Sequence, residues 1–146
     1  MKKLLFAAMM VIALAANAFA DGNTVNTKVL NHFQTQFEGA SNVRWKTGDL
    51  YVKASFTMNE QKMEAFYDAD GELIGTSYAV DYSKLPARAT KNIAEKYAAY
   101  QVTETIEFDN VKDGLNYYVS MVSATNKVVL QVSAQGEVSV FKKSRI

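Results

Sequence analysis

Shifted by 65 residues, this chain aligns with itself without a gap, Leu50 to Leu73 falling on Leu115 to Val138. Eight positions are apolar in both copies: Leu50/Leu115, Val52/Tyr117, Ala54/Val119, Phe56/Met121, Met63/Val128, Ala65/Leu130, Tyr67/Val132 and Leu73/Val138. Within each segment they recur every second residue, the period of one face of a β-sheet. The turn Ala69-Asp70-Gly71-Glu72 falls on Ala134-Gln135-Gly136-Glu137. A duplicated β-rich unit predicts a continuous sheet surface with a pseudo-symmetric shape.

Each copy is preceded by a helical stripe. Val29, Leu30, Phe33 and Phe37 lie at i, i+1, i+4 and i+8, and Gly39 ends the run. Ile93, Ala94 and Tyr97 carry the second stripe, at an offset of 64 from Val29, Leu30 and Phe33, with Pro86 at its start. Val43 with Trp45, and Ile106 with Phe108, mark a short strand after each helix. Asp70-Gly71 and Asp113-Gly114 read as turns. The expected fold class is α+β: a tandem repeat of two units, about 24–80 and 81–146, each a helix packed on a four-stranded antiparallel sheet. The paired apolar positions supply the face the helix covers.

Residues 1–20 read as a cleaved signal peptide. Lys2 and Lys3 form a positive start, Leu4 to Ala16 is apolar, and Ala18-Phe19-Ala20 has the small-x-small pattern of a cleavage site. The apolar run is short of the about 20 residues a membrane span needs. The expected mature domain is therefore 21–146, periplasmic or secreted, with no stable membrane anchor. With no cysteine in the chain, disulfides, thiolate catalysis and a lipid-bearing cysteine are all excluded. Losing Lys2 and Lys3 takes 16 Lys+Arg to 14 against 15 Asp+Glu, so the formal charge moves from +1 to −1. That balance argues against nucleic acid as a partner. Lys142, Lys143 and Arg145 cluster at the C-terminus and read as a solvated tail.

Catalytic and metal-binding constellations are missing from the pattern. Asp68-Ala69-Asp70-Gly71-Glu72 lacks the spacing of a calcium loop. Its counterpart Ser133-Ala134-Gln135-Gly136-Glu137 keeps the glycine and loses both aspartates, so what both share is turn chemistry. His32 is the single histidine and has no companion ligand of its kind. There is no G-x-S-x-G elbow and no glycine-rich phosphate loop. The expectation is a protein that is not an enzyme and uses no cofactor. Trp45 reads as core rather than as an exposed anchor.

The sheet face away from the helices is then the candidate site. It carries Tyr51, Lys53, Ser55, Lys62, Glu64 and Phe66 in the first unit, and Asn116, Tyr118, Ser120, Lys127, Val129, Gln131 and Phe141 in the second. Aromatic residues among polar ones resemble the make-up of a protein interface, although aromatic residues also favour exposed strands for their own sake. Tyr51, Phe66, Tyr118 and Phe141 are the expected partner-binding anchors, with Lys53 and Lys62 on the rim.

The segment Phe37-Glu38-Gly39-Ala40-Ser41-Asn42-Val43-Arg44-Trp45, the Asp70-Gly71 hairpin and the Leu85-Pro86 helix start resemble the PepSY-like, β-lactamase-inhibitor-like (BLIP-like) proteins of bacterial envelopes. Gly114-Leu115-Asn116-Tyr117-Tyr118-Val119 and the ending from Gly136-Glu137-Val138 to Phe141-Lys142-Lys143 fit the same pattern. The resemblance implies two helix-plus-four-strand repeats and no cofactor. It also implies a non-enzymatic binding role: inhibitors of this shape hold an enzyme on a concave sheet surface, and PepSY domains restrain secreted peptidases. Those inhibitors carry disulfides, which this chain cannot form. The expected function is an exported inhibitor or regulator of an envelope or secreted hydrolase. The alternative is a periplasmic carrier or sensor of a small ligand, peptide or glycan; an unrecognised hydrolase is a third.

Overall fold

In the computed structural model, which describes residues 25–146, the i, i+4 stripes become helices and the alternating segments become strands. The export segment expected at 1–20 lies outside the described residues. Helix α1 (Thr27–Gln36) begins where the Asn26 side chain accepts the Lys28 amide at 2.9 Å, satisfying one of the free N–H groups of a first turn. Helix α2 (Ala87–Lys96) follows Pro86, which stands at the N-cap, one place before the first helical residue. A 3-10 turn, Tyr82–Lys84, leads into it, with the Asp81 carboxylate accepting the Ser83 amide at 2.8 Å. The Ser83 side chain first, and this backbone amide second, hold the Asp81 carboxyl below its ordinary pKa by hydrogen bonding to its charged form.

The strands are β1 (Ser41–Thr47), β2 (Val52–Met58), β3 (Gln61–Tyr67), β4 (Leu73–Ala79), β5 (Gln101–Asn110), β6 (Gly114–Val122), β7 (Asn126–Ser133) and β8 (Val138–Arg145). They join in one eight-stranded sheet in the order β1 to β8. This corrects the expected α+β fold class of two units, each a helix on its own four-stranded sheet. The chain is mostly β, with only two α-helices among the described residues and a sheet that does not stop after β4. The physical reason is the cost of sheet edges. Ending at β4 and restarting at β5 would leave two extra rows of unpaired N–H and C=O groups, which continuous pairing removes. The short strand expected around Ile106 and Phe108 is accordingly ten residues long.

By compactness the described residues divide into two units. One runs to Tyr78 and includes Asp109–Gly114; the other holds Ala79–Phe108 and Leu115–Ile146. The Val111 amide donates to the Ile74 carbonyl at 3.0 Å, which ties 109–114 to the first.

In the first unit Val29 and Phe33 of α1 are buried against Ala54, Phe56, Ala65 and Tyr67. Phe33 meets Trp45 and Phe56 edge-on at 5.1 and 5.0 Å, so Trp45 packs against the core. In the second unit Leu85, Ala89 and Ile93 are buried against Tyr117, Val119, Met121, Val128, Leu130 and Val132. Of the paired apolar positions, Leu50 departs: it is 45 % exposed, before β2 begins. The helices correspond at an offset of 60, Thr27 to Ala87 and Gln36 to Lys96, not at 64. The difference of four residues is about one helical turn, which is why the stripe looked right at the wrong offset.

Both turns expected from Asp70-Gly71 and Gln135-Gly136 form, and both seat on a helix. The Asp68 carboxylate accepts the amides of Asp70 and Glu72, each at 3.0 Å. At the matching place the Ser133 hydroxyl oxygen accepts the Glu137 amide at 3.1 Å. Gly71 has φ +85, and a Cβ there would lie 2.9 Å from the Cβ of Lys28; at Gly136, with φ +83, it would lie 3.1 Å from the Cβ of Pro86. The glycines thus serve the turn and the approach of the helix together. His32 completes the first contact: its Nδ1 donates to the Gly71 carbonyl at 2.8 Å.

Tyr67 is fully buried at the end of β3, its hydroxyl donating to the Gln36 Oε1 at 3.2 Å. Burial pushes its pKa well above the ordinary 10.0, because desolvation penalises the phenolate. Above about pH 10 the unfolded chain releases a proton that the folded one keeps, so stability falls as pH rises through that value. Thermal melts between about pH 9 and 11 should show this fall for the wild type and a shallower one for Tyr67→Phe. Some slope stays, since burial also raises Tyr51, Tyr82 and Tyr117. Equal slopes for both proteins would place the alkaline loss elsewhere.

Candidate functional site

The strand registers decide which side chains share the face away from each helix. In the first unit Lys53 stands opposite Phe66, Ser55 opposite Glu64 and Thr57 opposite Lys62. On β1, Arg44 faces Ser55 and Lys46 faces Lys53; on β4, Ser77 faces Glu64 and Gly75 faces Phe66. Their neighbours Trp45, Val52, Ala54, Phe56, Met63 and Ala65 pack with α1, so this set lies on the other side. In the second unit Asn116 faces Ser133, Tyr118 faces Gln131 and Ser120 faces Val129, and Gln131 faces Ser139 of β8.

The four aromatic residues expected as anchors meet in two pairs, one in each unit. Tyr51 and Phe66 have ring centroids 5.4 Å apart at 65°. Tyr118 and Phe141 are 5.2 Å apart at 75°. Both are the edge-to-face arrangement that ring quadrupoles favour. In each pair one ring is buried and one is half-buried. Phe66 is 0 % and Tyr118 4 % exposed, while Tyr51 and Phe141 keep intermediate exposure. Phe66 also stands across from Gly75, which has no side chain of its own to fill the cross-strand position. Accessible aromatic surface on these faces therefore comes from Tyr51 and Phe141, standing on Phe66 and Tyr118.

Phe141 reaches its place through an irregularity. The β7–β8 register shifts between Val129 and Leu130, so Val140 pairs with Leu130 and Lys142 with Val129, leaving Phe141 unpaired between them. A bulge of this kind re-aims a side chain and also twists an edge strand away from unwanted pairing. β1, at the other end of the strand order, has its own shift between Ser41 and Arg44, with Asn42 at φ 54. Lys142, Lys143 and Arg145 belong to β8 rather than to a tail, and all three are exposed.

The two rim lysines separate. Lys62 is exposed. Lys53 is buried: its Nζ lies 2.8 Å from the Glu64 Oε1, with the side chains 6 % and 12 % exposed. The Ser55 hydroxyl donates to the same oxygen at 3.4 Å. Burial first and the Glu64 charge second raise the Tyr51 pKa, which keeps that phenol neutral and able to donate. Sequence alternation could place Lys53 on this face but not find its partner, since Glu64 is eleven residues away and meets it only through the β2–β3 register.

Other chemistry is modest. Among the described residues no three His, Cys, Asp or Glu side chains gather closely enough to hold a metal ion. The buried Thr105 hydroxyl has no hydrogen-bond partner among the described residues. No helix among the described residues is long and apolar enough to cross a membrane.

No protein-family model matches the chain, and no curated protein matches it. Solved structures do. A DUF2874 family protein from Bacteroides uniformis superposes with a TM-score of 0.73 at 16 % identity, covering 84 % of this chain and 90 % of that one. A BLIP-like protein from Bacteroides fragilis gives 0.70 at 15 %, covering 86 % and 89 %. A protein from Bacteroides eggerthii, provisionally described as periplasmic, gives 0.74 at 15 %, covering 85 % and 91 %. At these identities the likeness is one of fold. The PepSY-like half of the resemblance is not shown; what is shown is that this chain has the fold of the DUF2874 and BLIP-like proteins of Bacteroides.

Proposed function

We propose that the protein is an exported, non-enzymatic binding protein that holds a protein partner, such as an envelope or secreted hydrolase, on the sheet faces away from its helices. The observation that carries this reading is the pair of aromatic stacks, Tyr51 on Phe66 and Phe141 on Tyr118, each presenting one half-exposed ring on a buried base. A ring fixed from beneath loses little further freedom on binding, which is what a hot spot requires. The BLIP-like name of the B. fragilis structure supports a binding or inhibitory role. The periplasmic description of the B. eggerthii protein supports export, as do Lys2, Lys3, the apolar run and Ala18-Phe19-Ala20.

The test uses protein recovered from a secreting bacterial host, its start at Asp21 checked by N-terminal sequencing. Immobilised, it is offered a periplasmic extract, and the retained protein is identified by mass spectrometry and titrated back. Tyr51→Ala with Phe141→Ala should keep the far-UV spectrum. It should weaken the complex by about 2 kcal/mol or more, roughly thirtyfold in Kd. Tyr118 is the wrong target for this purpose, because at 4 % exposure its loss would disturb the core as well. A double variant that binds at full strength would move the site off these faces.

A further inference from the structure

The first unit's helix-free face gathers cations that the chain as a whole does not have in excess. The chain is +1 overall. Yet on β1 to β3 this face places Arg44, Lys46, Lys53 and Lys62 around a single carboxylate, Glu64, through the pairings Arg44–Ser55, Lys46–Lys53, Ser55–Glu64 and Thr57–Lys62. Glu64 is already engaged by the buried Lys53. Lys46 stands directly across from Lys53, a like-charge pairing that costs a sheet stability. Neither Lys46 nor Lys62 makes an ion pair with a described residue. Lys62 is exposed and Lys46 half-buried, with the half-exposed Tyr51 on the same face.

We propose that this face recognises an acidic segment of a partner protein, Asp or Glu side chains meeting Lys46 and Lys62 while an apolar residue rests on Tyr51. The inference rests on the binding role proposed above and adds the chemistry of the partner. Charge complementarity is the reason: an interface brings opposite potentials together and penalises like ones. The scale of the patch selects a protein rather than a nucleic acid or an extended polyanion. A few cations beside one aromatic ring match the central anchor and rim of a protein interface, whereas a phosphate chain needs a longer basic stripe.

The experiment follows backbone amide shifts of the labelled protein as three probes are added: a short peptide alternating Glu with Tyr, its twin with Lys for Glu, and a heparin oligosaccharide. The acidic peptide should move Lys46, Tyr51 and Lys62, and its affinity should fall as salt is raised. Lys46→Glu with Lys62→Glu should weaken it about tenfold, and the milder Lys46→Gln with Lys62→Gln by less. The Lys twin should leave this face unmoved. If the twin bound here as well as the acidic peptide, the charge proposal would fall while the aromatic binding role stood. If neither peptide bound, if the acidic one moved Lys142 to Arg145 instead, or if heparin alone bound, the proposal would be overturned.

Discussion

Val119→Asp should abolish the cooperative melt of this protein. Val119 is 0 % exposed, inside the cluster that Leu85, Ala89 and Ile93 close from the helix side. It pairs with Leu130, also 0 % exposed. Among the buried residues of that cluster the Tyr117 hydroxyl is the one polar side-chain group, with the partly buried Tyr82, Tyr97 and Tyr100 packed against it. An unpaired buried charge costs several kcal/mol, and the lost burial of the valine adds about 1.5 kcal/mol or more. Against a total stability of about 5–15 kcal/mol, little remains. Ser120→Asp, one residue along on the opposite face and half-buried, is the matched control and should cost much less. Denaturant unfolding of both separates the cases. A Val119→Asp protein that unfolded at the wild-type midpoint would mean that the β6 faces are reversed.

Lys53→Ala should cost about 3–5 kcal/mol, the range for removing one partner of a buried ion pair. What is left behind is the Glu64 carboxylate at 12 % side-chain exposure, with only the Ser55 hydroxyl at 3.4 Å. The size of the effect belongs to the stranded charge rather than to the pair, so replacing both groups should be far milder. Lys53→Met with Glu64→Leu is expected within about 1–2 kcal/mol of the wild type, since hydrophobic substitution of a whole buried pair is often neutral or better. A double variant as unstable as the single one would show that the pair itself, or its place in the sheet, carries the stability. The same comparison bears on the site, because Glu64 is the carboxylate that Lys53 engages on the face that also carries Lys46 and Lys62.

Which residues share a face was legible in the sequence. Alternation put Val52, Ala54 and Phe56 on one side and Tyr51, Lys53 and Ser55 on the other; the registers agree for the β2 residues, and the ring contact with Phe66 agrees for Tyr51. Turn glycines were legible for the same reason, since a left-handed φ at Gly71 and Gly136 is a local demand. How deep each residue on the outer face sits was not legible. Tyr51, Phe66, Tyr118 and Phe141 have the same chemistry and the same pattern, yet two are buried and two are half-exposed, because each pair lies ring on ring. Lys53 and Lys62 look alike by alternation, yet one is buried on Glu64 and the other is in solvent.

The sequence by itself determined where helices and alternating strands recur and the face to which most strand side chains belong, because those depend on periods of two and about four residues within one short segment, but not the offset of the second helix stripe or the length of β5. The tertiary structure alone decided that the sheet runs unbroken through β4 and β5, that Gly71 and Gly136 admit a helix, and that Glu64 answers Lys53. Each of these joins residues from different elements. β4 and β5 are separated in the chain by all of α2, and what pairs them is the cost of two open edges, a quantity that no local period contains.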